Sequence, residues 1–162
     1  MTGPPGPMIG VPVDAWHVWL GLSLASVALV GVGATLPTAP PPAAGDAADT
    51  IDRAAATAHP TTAEHPLDAR SIRIGPRRIG LRNDAGTTHA AFAFGPVTPA
   101  TASGRLRAVL RGAPPGSRFP SGEALCDAGR DARQGAPEWR PVDGPLIVRR
   151  VVWEGCDVTL VG

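Results

Sequence analysis

The sequence predicts an α+β protein, with one N-terminal transmembrane helix, a Pro-rich stalk and a small, mostly antiparallel sheet carrying one or two packed helices. Three observations predict it. Residues 15–36, AWHVWLGLSLASVALVGVGATL, contain no charged side chain, and as a helix they rise about 33 Å, enough to cross a hydrocarbon core of about 30 Å. From Ser71 onward, apolar residues recur with period two, the pattern of half-buried strands. Ser103 to Gly112, SGRLRAVLRG, keeps helical spacing between a capping serine and a terminating glycine.

Length then fixes the organisation. After the span about 120 of the residues remain, room for one modest domain and no second. The expected division is a flexible leader at 1–14, the transmembrane helix at 15–36, a Pro-rich stalk with a short Ala-rich helix at 37–69, and the α+β domain at 70–162. Gly 20 and Pro 19 favour strands, turns and loops over long helices, and a 4% aromatic content makes bulky core material scarce. All basic residues are arginine, and the formal net charge is only +1. Dispersed arginines at that balance are not the footprint of a nucleic-acid binder.

The leader, MTGPPGPMIGVPVD, has four prolines and no Lys or Arg. It lacks the positive n-region of a secretory signal, so the hydrophobic segment reads as a retained anchor, with Val32-Gly33-Ala34 its one cleavage-like site. Trp16 and Trp19 stand in the first turn of the span, where indoles favour the membrane interface. His17 between them reads as a solvated side chain. Gly21, Ala25 and Ala28 share one helix face as a small-residue strip that admits a second helix. Arginine counting does not orient the span, because the leader has none and the next is Arg53. A very short leader is usual for anchors whose C-terminal part is exported, so the domain is expected outside the cytoplasm.

Beyond the span, Pro37 to Ala44 reads as a polyproline stalk. Gly45 to Ala58 reads as a short helix whose alanine face around Ile51 packs shallowly and tethers more than it builds core. His59, Glu64 and His65 invite a metal reading. Their spacing and Pro60 and Pro66 argue instead for a solvated loop. Ile72 and Ile74, then Ile79 and Leu81, bracket Gly75-Pro76 as paired strands, with Arg73, Arg77, Arg78 and Arg82 toward solvent. A turn at Asn83–Gly86 leads to a strand from Thr88 to Phe94, with Phe92 and Phe94 facing the core and His89 on the outer face.

In the helix at 103–112, Leu106, Val109 and Leu110 share the packing face, and Arg105, Arg107 and Arg111 form a basic outer face. A second helix, Ser121 to Gln134, is expected to be interrupted at Gly129. Trp139, framed by Pro137 and Pro141, is expected to cover the edge of the core. Leu146–Trp153 and Cys156–Val161 form a hairpin around Glu154-Gly155. Cys126 and Cys156 have two readings: one disulfide if the domain lies outside the cytoplasm, or, more plainly, two small apolar side chains at packed positions.

No G-x-S-x-G, H-E-x-x-H, phosphate-binding loop, G-x-G-x-x-G turn or paired cysteine ligands occur. The expectation is therefore a protein that is not an enzyme and holds no cofactor or metal. Its expected partners are the lipid bilayer and membrane proteins met through the helix or the domain, and no nucleic acid. The alternative is an exported enzyme or ligand-binding domain with a pocket near His89 and the arginines.

The segments DAWHVWLGLSLASVALVGVGATLPTAPPP, TAEHPLDA, RIGPRRIGLRNDAG, HAAFAFGPVTP, LRAVLRGAPP and DVTLVG resemble an uncharacterised haloarchaeal family of small single-pass membrane proteins. The resemblance covers most of the chain and carries no established activity. It implies a cell-envelope setting, near archaeal pilus or type II secretion-like components. One departure stands against it: halophilic domains are strongly acidic and this one is not. Against a narrower, pilin-like version of that setting stands the absence of the basic residue expected before a prepilin's hydrophobic helix.

Overall fold

Once past Asp14, the first hydrophobic run meets neither proline nor charge, and its backbone is helical from Asp14 to Ala34 (α1). The structure, a computed structural model, describes residues 14–34 and 40–162, with backbone alone at 14, 15 and 27–34. Two units separate, Met1–Thr38 and Ala39–Gly162. The expected leader, the end of the span and the first part of the stalk fall outside the described residues. Among the described residues no helix is long and apolar enough to cross a membrane. In α1 the side chains on view run only from Trp16 to Ser26. Within that stretch the hydroxyls of Ser23 and Ser26 each donate to the carbonyl four residues back, at 2.9 Å.

The second unit is α+β, with a larger domain than expected. In chain order it contains α2 (Ala44–Ala56), β1 (Thr61–His65), β2 (Ser71–Ile74), β3 (Arg78–Asn83), β4 (Gly86–Ala91) and β5 (Thr98–Pro99). Then follow α3 (Gly104–Leu110), α4 (Gly122–Gln134), β6 (Arg140–Pro141), β7 (Leu146–Trp153) and β8 (Cys156–Val161). The strands form two four-stranded sheets where one was expected. The first has the order β1-β7-β8-β5 and the second β4-β3-β2-β6. Every pairing is antiparallel except β5 with β8.

Strand β7 organises the packing because both its faces are covered. Leu146 and Val148 join one core cluster with Ile51 of α2 and Ile79 and Leu81 of β3. Ile147, Val151 and Trp153, on the other face, join a second cluster with Leu106, Val109 and Leu125 of α3 and α4. Adjacent residues of a strand point to opposite faces, so Arg149 and Arg150 part company. Arg149 donates to the carbonyls of Val109 and Ala113 at the end of α3. Arg150 donates to those of Ala55 and Thr57 at the end of α2 and grips Asp157 of β8 through two nitrogens. Each guanidinium thus brings a charged donor to carbonyls at a helix C-terminus, where a cation is favoured. The hydrogen bond that Arg150 donates to Asp157 raises the Arg150 pKa, desolvation pulls it down, and the carboxylate charge raises it further.

Several expectations need correction. Residues 40–69 belong to the domain and are not a stalk and tether. The alanines of α2 are its means of entry: Ala44, Ala47, Ala48 and Ala54 are buried with Ile51, which is 0% exposed. Small side chains let the helix seat deeply between the sheets, and burying Ile51 alone contributes roughly 1.5–3 kcal/mol. The stalk's Pro40 and Pro42 are docked, their carbonyls accepting from Asn83 Nδ2 and Thr88 Oγ1. The supposed loop around Glu64 is the edge strand β1, flanked by Pro60 and Pro66 at ends where no ladder donor is required.

Further along, β4 stops at Ala91 and Phe94 is 54% exposed, because the carboxylate of Asp52 takes the N–H groups of Ala93 and Phe94 and turns the chain away. The helix at 103–112 forms as α3, and its buried face is Leu106, Val109 and Leu110. Ser103 stands at its N-cap without a side-chain bond. The terminal hairpin forms with the expected bounds, turning through Glu154 and Gly155 at positive φ.

Helix α4, capped by Ser121 Oγ on Ala124 N–H at 3.2 Å, runs through Gly129 without interruption. A Cβ there would meet Val158 Cγ1 and Thr98 Oγ1 at 3.6 Å, an ordinary contact. Gly129→Ala should therefore raise stability by about 0.5–1 kcal/mol by removing glycine's entropy cost. At Gly122 a Cβ would lie 2.5 Å from the carbonyl oxygen of Glu154, and Gly122→Ala should lower stability by about 1–3 kcal/mol. Urea unfolding of both variants checks the opposite signs.

Cys126 and Cys156 are joined in a disulfide between α4 and β8, with Cα atoms 5.7 Å apart and a sequence separation of 30. Closing a loop of that length predicts that Cys126→Ala/Cys156→Ala loses about 3–4 kcal/mol. Denaturation under non-reducing conditions measures it.

Candidate functional site

With Ile72, Ile74, Ile79 and Leu81 turned into the core, strand alternation sends Arg73, Arg78, Gly80 and Arg82 to the opposite face of the second sheet. Register then aligns them. Arg73 lies opposite Gly80, and Gly80 opposite His89. Gly80 leaves a hollow in the middle of this row, and the indole of Trp139 lies over it. A Cβ at Gly80 would come within 2.9 Å of His89 Cδ2 and 3.1 Å of Trp139 Cη2. The indole is carried there by β6, whose Arg140 pairs with Ile72.

The result is a cluster of cations on an aromatic platform. Arg82 stacks over the Trp139 ring with its guanidinium carbon 4.2 Å from the centroid, and Arg73 with its own at 4.9 Å. His89 meets the indole edge-on at 6.1 Å. Arg73 Nη2 lies 3.1 Å from His89 Nε2. A guanidinium only donates, so a hydrogen bond between them requires Nε2 to be the acceptor. Stacking immobilises the arginines while leaving their edges free for the paired N–H bonds that suit carboxylate, phosphate or sulfate. Among the described residues, none of Arg73, Arg78 and Arg82 has a carboxylate within ion-pair distance; the nearby Asp84 is taken by Arg70.

The cluster is a surface more than a pocket. Arg73, Arg78, Gly80, His89 and Pro137 line a recess of about 60 Å³, small beside the roughly 150 Å³ cavity that holds benzene. Trp139 is thus placed on the outer face of the sheet, where its planar ring has two arginines to carry, and not at the core edge as expected.

The other sequence-singled residues lie elsewhere. Trp16 and Trp19 are 67% and 68% exposed on α1, Gly21 and Ala25 are exposed on the same helix, and the side chain of Ala28 is outside the described residues. Glu64 and His65 point to opposite faces of β1, and His65 Nδ1 lies 3.3 Å from Thr50 Oγ1. Among the described residues no three metal-binding side chains gather. Nor is the row on α3 simply a solvated face: Arg105 stacks on Phe119 and Arg107 bonds the Thr101 carbonyl.

Over residues 10–151 the chain matches a family of unknown function, DUF7283. It is a member of that family. No curated protein and no solved structure matches the chain. The stretch matched to DUF7283 takes in α1 and every member of the Arg73–Arg82–His89–Trp139 cluster, and it ends within β7, ahead of Cys156. Sequence reasoning had Arg73, Arg82 and His89 on the outer face but missed Trp139 among them. The parity of residues 72–82 signals the arginines, whereas an indole arriving from a distant loop leaves no local pattern.

Gly80→Ala should push His89 and Trp139 apart at a cost of about 1 kcal/mol. In a background with Trp16, Trp19 and Trp153 replaced by Phe, the fluorescence of Trp139 should shift to the red as the ring is wetted.

Proposed function

We propose that this DUF7283 chain is a membrane-anchored, non-enzymatic accessory protein of a cell-envelope assembly, holding outside the cytoplasm a domain that recognises an anionic partner. The observation that carries this reading is the outer face of the second sheet, where two arginines are stacked on Trp139 beside His89 and no carboxylate answers them among the described residues. Guanidinium and indole bind charge and planar groups; they do not attack carbonyls or phosphoryl centres.

Three further features support the setting. Residues 15–36 carry no charge, and the hydroxyls of Ser23 and Ser26 are satisfied within α1, as a hydrocarbon environment requires. The family match begins at residue 10, so this helix lies within the matched stretch. Disulfides such as Cys126–Cys156 persist in oxidising compartments. The resemblance to haloarchaeal single-pass proteins suggests an archaeal pilus or secretion-like system as the assembly. A second reading, an exported ligand-binding domain, is favoured by the small recess at Arg73, Arg78 and His89, which admits a single oxyanion group.

Full-length protein purified from its membrane in mild detergent tests the proposal. Wild type should co-elute with an envelope component, and Arg73→Glu/Arg82→Glu should lose it while keeping its melting temperature. Recovery of the wild type alone, or a complex indifferent to the charge reversal, would overturn the reading. Protease treatment of intact cells should remove the domain and leave α1 with the membrane.

A further inference from the structure

We infer that the cavity between the two sheets is a binding site for a small amphiphilic carboxylate, an anionic head on a short apolar body. This site is separate from the Trp139 face and does not depend on the reading given for it. The cavity measures about 210 Å³. Apolar side chains from both sheets and from α3 line it, among them Leu67, Ile72, Ile74, Leu110 and Leu146. An engineered apolar cavity of about 150 Å³ holds benzene, so this one admits on the order of eight non-hydrogen atoms.

Its charged lining is unbalanced. Arg107, Arg111 and Arg140 line the cavity, and Asp143 is the one acidic side chain that does so. Arg107 Nη2 and Arg140 Nη1 donate to the same acceptor, the Thr101 carbonyl oxygen, at 2.8 and 3.0 Å. Two guanidinium groups are therefore held side by side at the edge of an apolar chamber. Among the described residues none of the three arginines is within ion-pair distance of a carboxylate, Asp143 included. Glu138, in the smaller recess across Arg140, makes no ion pair with it either. One carbonyl oxygen offers two lone pairs and no net charge, so most of the N–H groups on this pair remain available. A planar carboxylate is the group that matches such forks, and it also relieves the repulsion between them. A neutral ligand of the same shape gains only the apolar contact.

Hexanoate has the size required and serves as the probe, with hexanol as its neutral counterpart. Full-length protein in lipid nanodiscs is titrated while the methyl resonances of Ile72, Ile74 and Leu110 are followed, which separates the cavity from partition into lipid. Hexanoate should shift these methyls saturably at millimolar concentration or below, and hexanol should bind about tenfold or more weakly. Arg140→Gln should weaken hexanoate about tenfold; Arg111→Gln, at an exposed residue whose side chain makes no hydrogen bond among the described residues, should weaken it about threefold with unchanged melting temperature. Equal binding of hexanoate and hexanol would overturn the inference, as would an absence of saturable shifts at these methyls. If both arginine variants bind hexanoate as the wild type does, the assignment of the head group fails.

Discussion

Two adjacent arginines at the centre of β7 hold the domain together. A strand covered on both faces must satisfy whatever each cover leaves open, and here each cover is a helix that ends against the sheet. Arg149 collects the carbonyls at the end of α3, and Arg150 those at the end of α2. Guanidinium suits this duty because one head reaches several acceptors at once. Arg150 also holds Asp157 across the hairpin. Lysine, a point donor without the fork, would not span the same set of oxygens. The arginine-only basic composition, which by itself says nothing of function, is at these two positions a structural requirement.

Much of the fold was legible wherever a pattern was local. Ile72, Ile74, Ile79 and Leu81 carried the β2–β3 hairpin, Glu154-Gly155 the terminal one, and Leu106, Val109 and Leu110 the buried face of α3. What failed was reading by analogy of composition. Proline around Thr61–His65 looked like loop, yet an edge strand has ends at which proline costs nothing. Alanine around Ile51 looked like a weak face, yet small residues are what close approach to two sheets demands. The candidate site was half legible for the same reason. Alternation showed which way Arg73, Arg82 and His89 point, but the meeting with Trp139 depends on β6 pairing with β2, a contact across about half the length of the domain that no local window of sequence contains.

The placement of the covers also accounts for what is left bare. Helices α2, α3 and α4 are all spent on the first sheet or on the space between the two, and so the second sheet keeps one side in solvent. That side has the arginines, and among the described residues of this unit one indole rests on it above a glycine. A scaffold with both faces of one sheet buried and one face of the other open gives rigid backing to an exposed polar row, which is how recognition surfaces are usually built.

The position of β7 and β8 in the chain bears on how the protein is made. Strand β1 pairs only with β7, α2 is tied down by Arg150, α3 by Arg149 and α4 by Cys156. Each of these partners belongs to the last-synthesised of the described elements. Nothing upstream can close its core while the ribosome is still working on those residues, since long-range contacts must wait for both ends. The first sheet and the helices packed on it therefore close only once β7 and β8 are available to pair with them.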